Sequence, residues 1–107
     1  MQEIKRKCID WVKTGKRLLN LRTGNTSLRR YVCWRLKYDE GNCSGDCRNC
    51  EYEMDASISR KELADVFQTT ENVVFNWENG KTSPEIEDLL LYAEICGITM
   101  EQIIVYC

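Results

Sequence analysis

The stretch ISRKELADVFQTTENVVFNWENGKTSP, residues 58–84, constrains the chain more than any other. It reads as two short helices joined by a tight turn. Ser59 and Glu62 form an S-x-x-E capping box, in which each side chain takes up an orphan backbone N–H at a helix start. Leu63, Ala64 and Phe67 then give one apolar stripe. Gln68-Thr69-Thr70 breaks that stripe, and Thr70 can cap a second helix with Val74 and Trp77 on its inner face. Asn79-Gly80 ends the second helix, because glycine accepts the left-handed conformation that a helix stop needs.

This stretch resembles the helix-turn-helix of the phage-repressor and Cro-like (XRE-type) DNA-binding proteins. The residues that carry the likeness are Ser59, Glu62-Leu63-Ala64, the turn at Gln68-Thr69, Val74, and Trp77-Glu78-Asn79-Gly80-Lys81 with Pro84 after them. The likeness continues through DLLLYAEICGITMEQII and, upstream, through GKRLLNLR at residues 15–22. It implies an all-α, five-helix repressor-type domain that binds double-stranded DNA. Between the family's first and second helices this chain carries an extra helix and a Cys-rich loop, residues 26–57. The chain then divides into an N-terminal helix (1–25), that insertion, and the helix-turn-helix with the C-terminal helices (58–107), all within one domain. A length of 107 residues is enough for one helical core and not for two.

The net charge of −2 conceals a split. Residues 1–37 hold 11 Lys and Arg against Glu3 and Asp10, a balance of +9, while residues 38–107 hold 4 against 15 acids, a balance of −11. Either a basic N-terminal part docks on an acidic C-terminal part, or some of the positive side chains face phosphate. Both hold together if different residues serve each. No apolar run approaches membrane-spanning length, and the N-terminus lacks the apolar core of a signal peptide, so the cytoplasm is the expected location.

Along the chain, residues 1–22 read as one helix, with Ile4, Cys8, Trp11 and Val12 and then Leu18 and Leu21 at helical spacing. Gly15 is a candidate break within it. Ser27 is placed to cap a second helix, LRRYVCWRLKY, with Leu28, Val32 and Leu36 inward. Ser83-Pro84 reads as the start of a later helix with Ile86, Leu89, Leu90 and Ala93 inward and Gly97 as its stop. Thr99 and Gln102 form another capping box.

Within the resemblance, the second motif helix enters the major groove. By position Glu71, Asn72 and Asn76 face bases, with Val73 and Phe75 beside them. Asn can bond adenine bidentately, Glu can accept from cytosine N4, and an apolar side chain can pack on a thymine methyl. The alternative is that Phe75 is core and Glu71 only a helix-start acid. Phosphate contacts are expected from Arg60, Thr70, Asn79, Lys81 and Thr82. The family also pairs an Arg at the position of Arg22 with a Glu at the position of Glu78, which implies a structural ion pair here. Residues 58–84 carry Arg60, Lys61 and Lys81 against Glu62, Asp65, Glu71 and Glu78, a surface poor in cations for a phosphate binder. A homodimer, or positive charge from Lys13, Lys16, Arg17, Arg29 and Arg30, would compensate.

Seven Cys without a His is the remaining oddity. The odd count and the missing export signal argue against a disulfide framework. Cys33, Cys43, Cys47 and Cys50 could close a tetrahedral, four-thiolate zinc site that ties the polar loop to the helix before it. An iron–sulfur cluster or redox switch, or no metal at all, are the alternatives. Cys8 and Cys96 read as core and Cys107 as a terminal bystander. With no His, no Ser/His/Asp set and no glycine-rich phosphate loop, an enzyme is not expected. The expected function is a sequence-specific, DNA-binding transcriptional regulator, acting as a repressor. Its rivals are a metal-stapled helical adaptor or antitoxin and, after that, a thiol redox protein.

Overall fold

The computed structural model describes residues 8–38, 41 and 57–107. Among the described residues six α-helices follow one another: α1 (Trp11–Gly24), α2 (Thr26–Cys33), α3 (Arg60–Val66), α4 (Glu71–Glu78), α5 (Ile86–Cys96) and α6 (Met100–Ile103). A π-helical turn, Trp34–Tyr38, extends α2. No strand occurs among the described residues beyond one isolated antiparallel bridge between Ile9 and Tyr106. The fold is all-α, with α2 added to the five helices that the resemblance implies.

The start of the chain departs from the single helix expected over residues 1–22. Residues 8–10 are extended, because their backbone pairs with the tail. The Asp10 N–H donates to Val105 O at 2.8 Å, and the Cys107 N–H donates to Cys8 O at 2.8 Å. The Asp10 carboxylate then caps α1 by accepting from the Lys13 N–H at 3.0 Å. Val105 N–H donates to the hydroxyl of buried Thr14 at 3.0 Å, fixing the tail from the other side. This pairing also overturns two cysteine assignments and the case against disulfides. Cys8 and Cys107 are exposed rather than core and bystander, and they form a disulfide with their Cα atoms 5.3 Å apart. That separation lies within the range a disulfide requires.

Gly15 does not break α1. It lets the helix approach the end of α4, where a Cβ would stand 2.5 Å from Trp77 O and 2.6 Å from Glu78 O. Gly80, at φ +72°, makes the matching approach from the other side, its own Cβ position lying 2.7 Å from Val12 Cα. Two glycines therefore seat α1 against the corner that follows α4.

Asn25, rather than Ser27, caps α2. Its Oδ1 accepts from the Leu28 N–H at 2.9 Å, and its Nδ2 donates to Cys96 O at 3.3 Å. One side chain thus opens α2 and satisfies a carbonyl at the end of α5. Leu28 and Val32 are fully buried in the same core as Leu18, Ile58, Leu63 and Val74, so the inserted helix shares the core of the motif.

The α5 helix begins at Ile86 rather than at Pro84. Glu85 is still extended at ψ 160°, and its N–H donates to Asp88 Oδ2 at 3.2 Å. Leu89, Tyr92, Ala93 and Cys96 face inward, whereas Ile86 and Leu90 are 62 and 52 % exposed. Each helical residue turns roughly 100° from the last, so Leu90 is carried past the face that Leu89 buries, and Ile86 shares its flank. Gly97 ends the helix in the left-handed conformation at φ +70°.

Tyr92 is the joint between α5 and the motif. Its ring centroid lies 4.7 Å from that of Phe67 and 6.4 Å from that of Trp77. The tilted, edge-like arrangement is one that aromatic quadrupoles favour. Its hydroxyl is sealed from solvent and has no hydrogen-bond partner among the described residues. Burial, and then the nearby Glu78 carboxylate, hold its pKa far above the ordinary phenol range.

Candidate nucleic-acid interface

The two motif helices form as their caps dictate. Ser59 Oγ accepts from the Glu62 N–H while Glu62 Oε1 accepts from the Ser59 N–H, both at 3.1 Å, and α3 starts there. It stops after Val66, with Phe67 as cap and Gln68 at φ +56°, a left-handed conformation without glycine. Thr70 Oγ1 accepts from the Val73 N–H at 3.3 Å and opens α4. Asn79 closes it, its Nδ2 donating to Phe75 O at 2.8 Å, and the Lys81 and Thr82 N–H groups both turn back to Asn76 O.

The inner face of α4 is Val74, Trp77 and Glu78, all buried. The outer face holds Glu71, Asn72 and Phe75 exposed, with Val73 and Asn76 half-buried at its margins. Thr70, Asn79, Lys81 and Thr82 are exposed at the two ends of the same helix. Arg60, Glu71, Asn72 and Phe75 line an open concavity of about 390 Å3 beside its first turns. Phe75 is 38 % exposed and is not a core residue. The Arg60 guanidinium lies over its ring at 5.1 Å from the centroid, and Lys81 Nζ at 5.6 Å.

What aims α4 is a buried carboxylate. Glu78 has a side chain 1 % exposed and accepts from Arg22 through two bonds, Nε to Oε2 at 2.7 Å and Nη2 to Oε1 at 3.1 Å. Arg22 spends Nη1 on Ile58 O at 2.7 Å. Arg60 Nε adds a third bond, to Oε1 at 2.9 Å. One carboxylate therefore ties α1, α3 and α4 together through paired, directional bonds. Sequence reading had no route to Arg60 as a partner of Glu78 and Phe75, because the three converge only once the helices have packed.

The charge poverty read from the sequence changes in three dimensions. Glu78 is buried beneath two guanidiniums, so its carboxylate does not oppose an anion above α4. Lys13 and Lys16 are exposed on α1, while Arg17 donates Nη1 to Gln102 O at 2.9 Å. Of the four cysteines proposed to bind metal, Cys33 is half-buried on α2, and Cys43, Cys47 and Cys50 lie outside the described residues. Cys96 is core, and burial pushes its thiol up to about 11.

The family comparison agrees with this geometry. Residues 54–103 match the helix-turn-helix family model. That segment belongs to the phage-repressor and Cro-like helix-turn-helix family. No curated protein and no solved structure matches the chain. The match spans α3 to α6 with the turn between α3 and α4, and it makes this a DNA-binding regulator domain. Among the described residues no helix is long and apolar enough to cross a membrane.

Proposed function

We propose that the protein is a transcriptional repressor that reads a specific sequence in double-stranded DNA with the outer face of α4. Glu71, Asn72 and Asn76 address base edges, with Val73 and Phe75 between them. Thr70, Asn79, Lys81 and Thr82 hold phosphates at the helix ends, and Arg60 does so with the guanidinium nitrogens that Glu78 leaves available. One observation carries this reading: polar and apolar groups able to bond bases stand together on the exposed side of a helix whose other side is anchored by Val74, Trp77 and Glu78. Selecting bound duplexes from a random pool tests it. A repressor of this kind enriches one motif, and a chain that enriches none is not a sequence-specific binder.

The active unit we propose is a homodimer on a two-fold site in cytoplasmic DNA. Two copies double the phosphate contacts, which a surface with few cations needs. The exposed pair Ile86 and Leu90, one turn apart on α5, supports this reading as apolar surface for a second copy to cover. Sedimentation of the wild type and of Leu90→Lys checks the dimer, and a wild type that stays monomeric on its DNA refutes it. Zinc held by Cys33, Cys43, Cys47 and Cys50 is proposed as a structural staple of the insertion, with an iron–sulfur cluster as its rival. Elemental analysis decides between them, and neither metal at one equivalent per chain removes the site.

A further inference from the structure

We propose that Phe75 is a sensor for the C5-methyl group of a pyrimidine in the major groove, and that Arg60 and Lys81 position its ring. The inference rests on the DNA reading above and adds to it the chemical group that is recognised.

A phenylalanine exposed in the middle of a short helix is costly unless something covers it, since apolar area left in water forgoes about 25 cal/mol per Å2. Trp77 and Val74, its neighbours in sequence, are buried, whereas Phe75 stays out. Its ring is nonetheless not loose. Arg60 and Lys81, from the helix before and the corner after, both place a cation over it. Such contacts are attractive because the cation meets the ring's electron-rich face. Arg60 is fixed in turn by Glu78, so the ring inherits the order of the buried ion pair.

Phe75 stands three residues after Asn72 and four after Glu71, so all three share one side of α4 and line the same concavity. The major-groove edge of a pyrimidine carries its C5 substituent next to the group on C4. In thymine that neighbour is an acceptor, O4, which the Asn72 amide can donate to. In 5-methylcytosine it is a donor, the N4 amino group, which the Glu71 carboxylate can accept from. Either base therefore finds a polar partner and an apolar ring within one concavity. Val73, the other apolar candidate, is half-buried and packs against the core.

The test uses the full chain and a duplex recovered from the random pool. Each thymine is replaced in turn by deoxyuridine, and each cytosine by 5-methylcytosine. The wild type should favour the methylated base by about four-fold at one position per half-site, the effect of covering one methyl. Thymine as the source gives the response in the deoxyuridine series, and 5-methylcytosine gives it in the other. Phe75→Ala should abolish the response. A wild type that binds but changes less than about two-fold at every position overturns the inference and leaves the DNA reading standing. So does a response that persists in Phe75→Ala. A chain that retains no duplex fails at the earlier step and takes both readings with it.

Discussion

Replacing Glu78 with Gln probes the joint on which the orientation of α4 depends. The substitution keeps the shape and removes the charge between Arg22, whose side chain is 9 % exposed, and Arg60, at 34 %. Arg22 would keep its bond to Ile58 O but would be a buried cation without a counter-charge. Breaking a buried pair by removing one partner costs about 3–5 kcal/mol. The Arg60 contact, one-third exposed and screened by water, adds less than about 1 kcal/mol. A chain of this length has about 5–15 kcal/mol in all, so Glu78→Gln should lose a large part of its stability. Urea unfolding followed by far-UV circular dichroism measures this as a lower midpoint at unchanged slope. Arg22→Met combined with Glu78→Leu should recover most of the loss, because apolar replacement of a buried pair is often neutral or better. A loss below about 1 kcal/mol for Glu78→Gln would mean that the pair behaves as a surface bridge, and the account of what aims α4 would be wrong.

Three other changes have definite outcomes. Gly15→Ala gains about 1 kcal/mol of helix propensity but drives a Cβ into the Trp77 and Glu78 carbonyls, so thermal unfolding should show a net loss of about 1–2 kcal/mol. Tyr92→Phe removes a sealed hydroxyl that has no partner among the described residues, and the same assay should show a gain of about 1 kcal/mol; a clear loss would reveal a bond to that oxygen. Reducing the Cys8–Cys107 disulfide reopens a closure spanning 99 residues, so stability should fall by about 2–4 kcal/mol, and Cys8→Ser should match the reduced wild type under both conditions.

The parts of the fold legible in the sequence are those that local chemistry specifies. Ser59–Glu62, Thr70, Gly97 and Thr99–Gln102 each close or open a helix through bonds within a few residues, and the structure has each one. What escaped reading depends on contacts between distant segments. Residues 8–10 fit a helical period, yet the tail at 105–107 offers their backbone a pairing partner that periodicity does not reveal. Cys8 and Cys107 are 99 positions apart, and an odd cysteine count pointed away from any bridge. Gly15 scored as a weakness because helix propensity considers one helix at a time, whereas its role is to admit a second backbone. Ile86 and Leu90 fit an apolar stripe as well as Tyr92 and Cys96 do, and only the packing of α5 chose between the two flanks. In the candidate interface, Asn72 and Asn76 follow from position within the motif, but the cations over Phe75 come from another helix and from the corner.

In the proposed complex the outer face of α4 meets base edges. The most direct measurement is the affinity of wild type and Asn72→Ala for the selected duplex across a salt series. Log K should fall linearly with log salt for both proteins at the same slope, with Asn72→Ala weaker by about 1–3 kcal/mol throughout. An Asn72→Ala protein that binds as tightly as wild type at every salt concentration would contradict it.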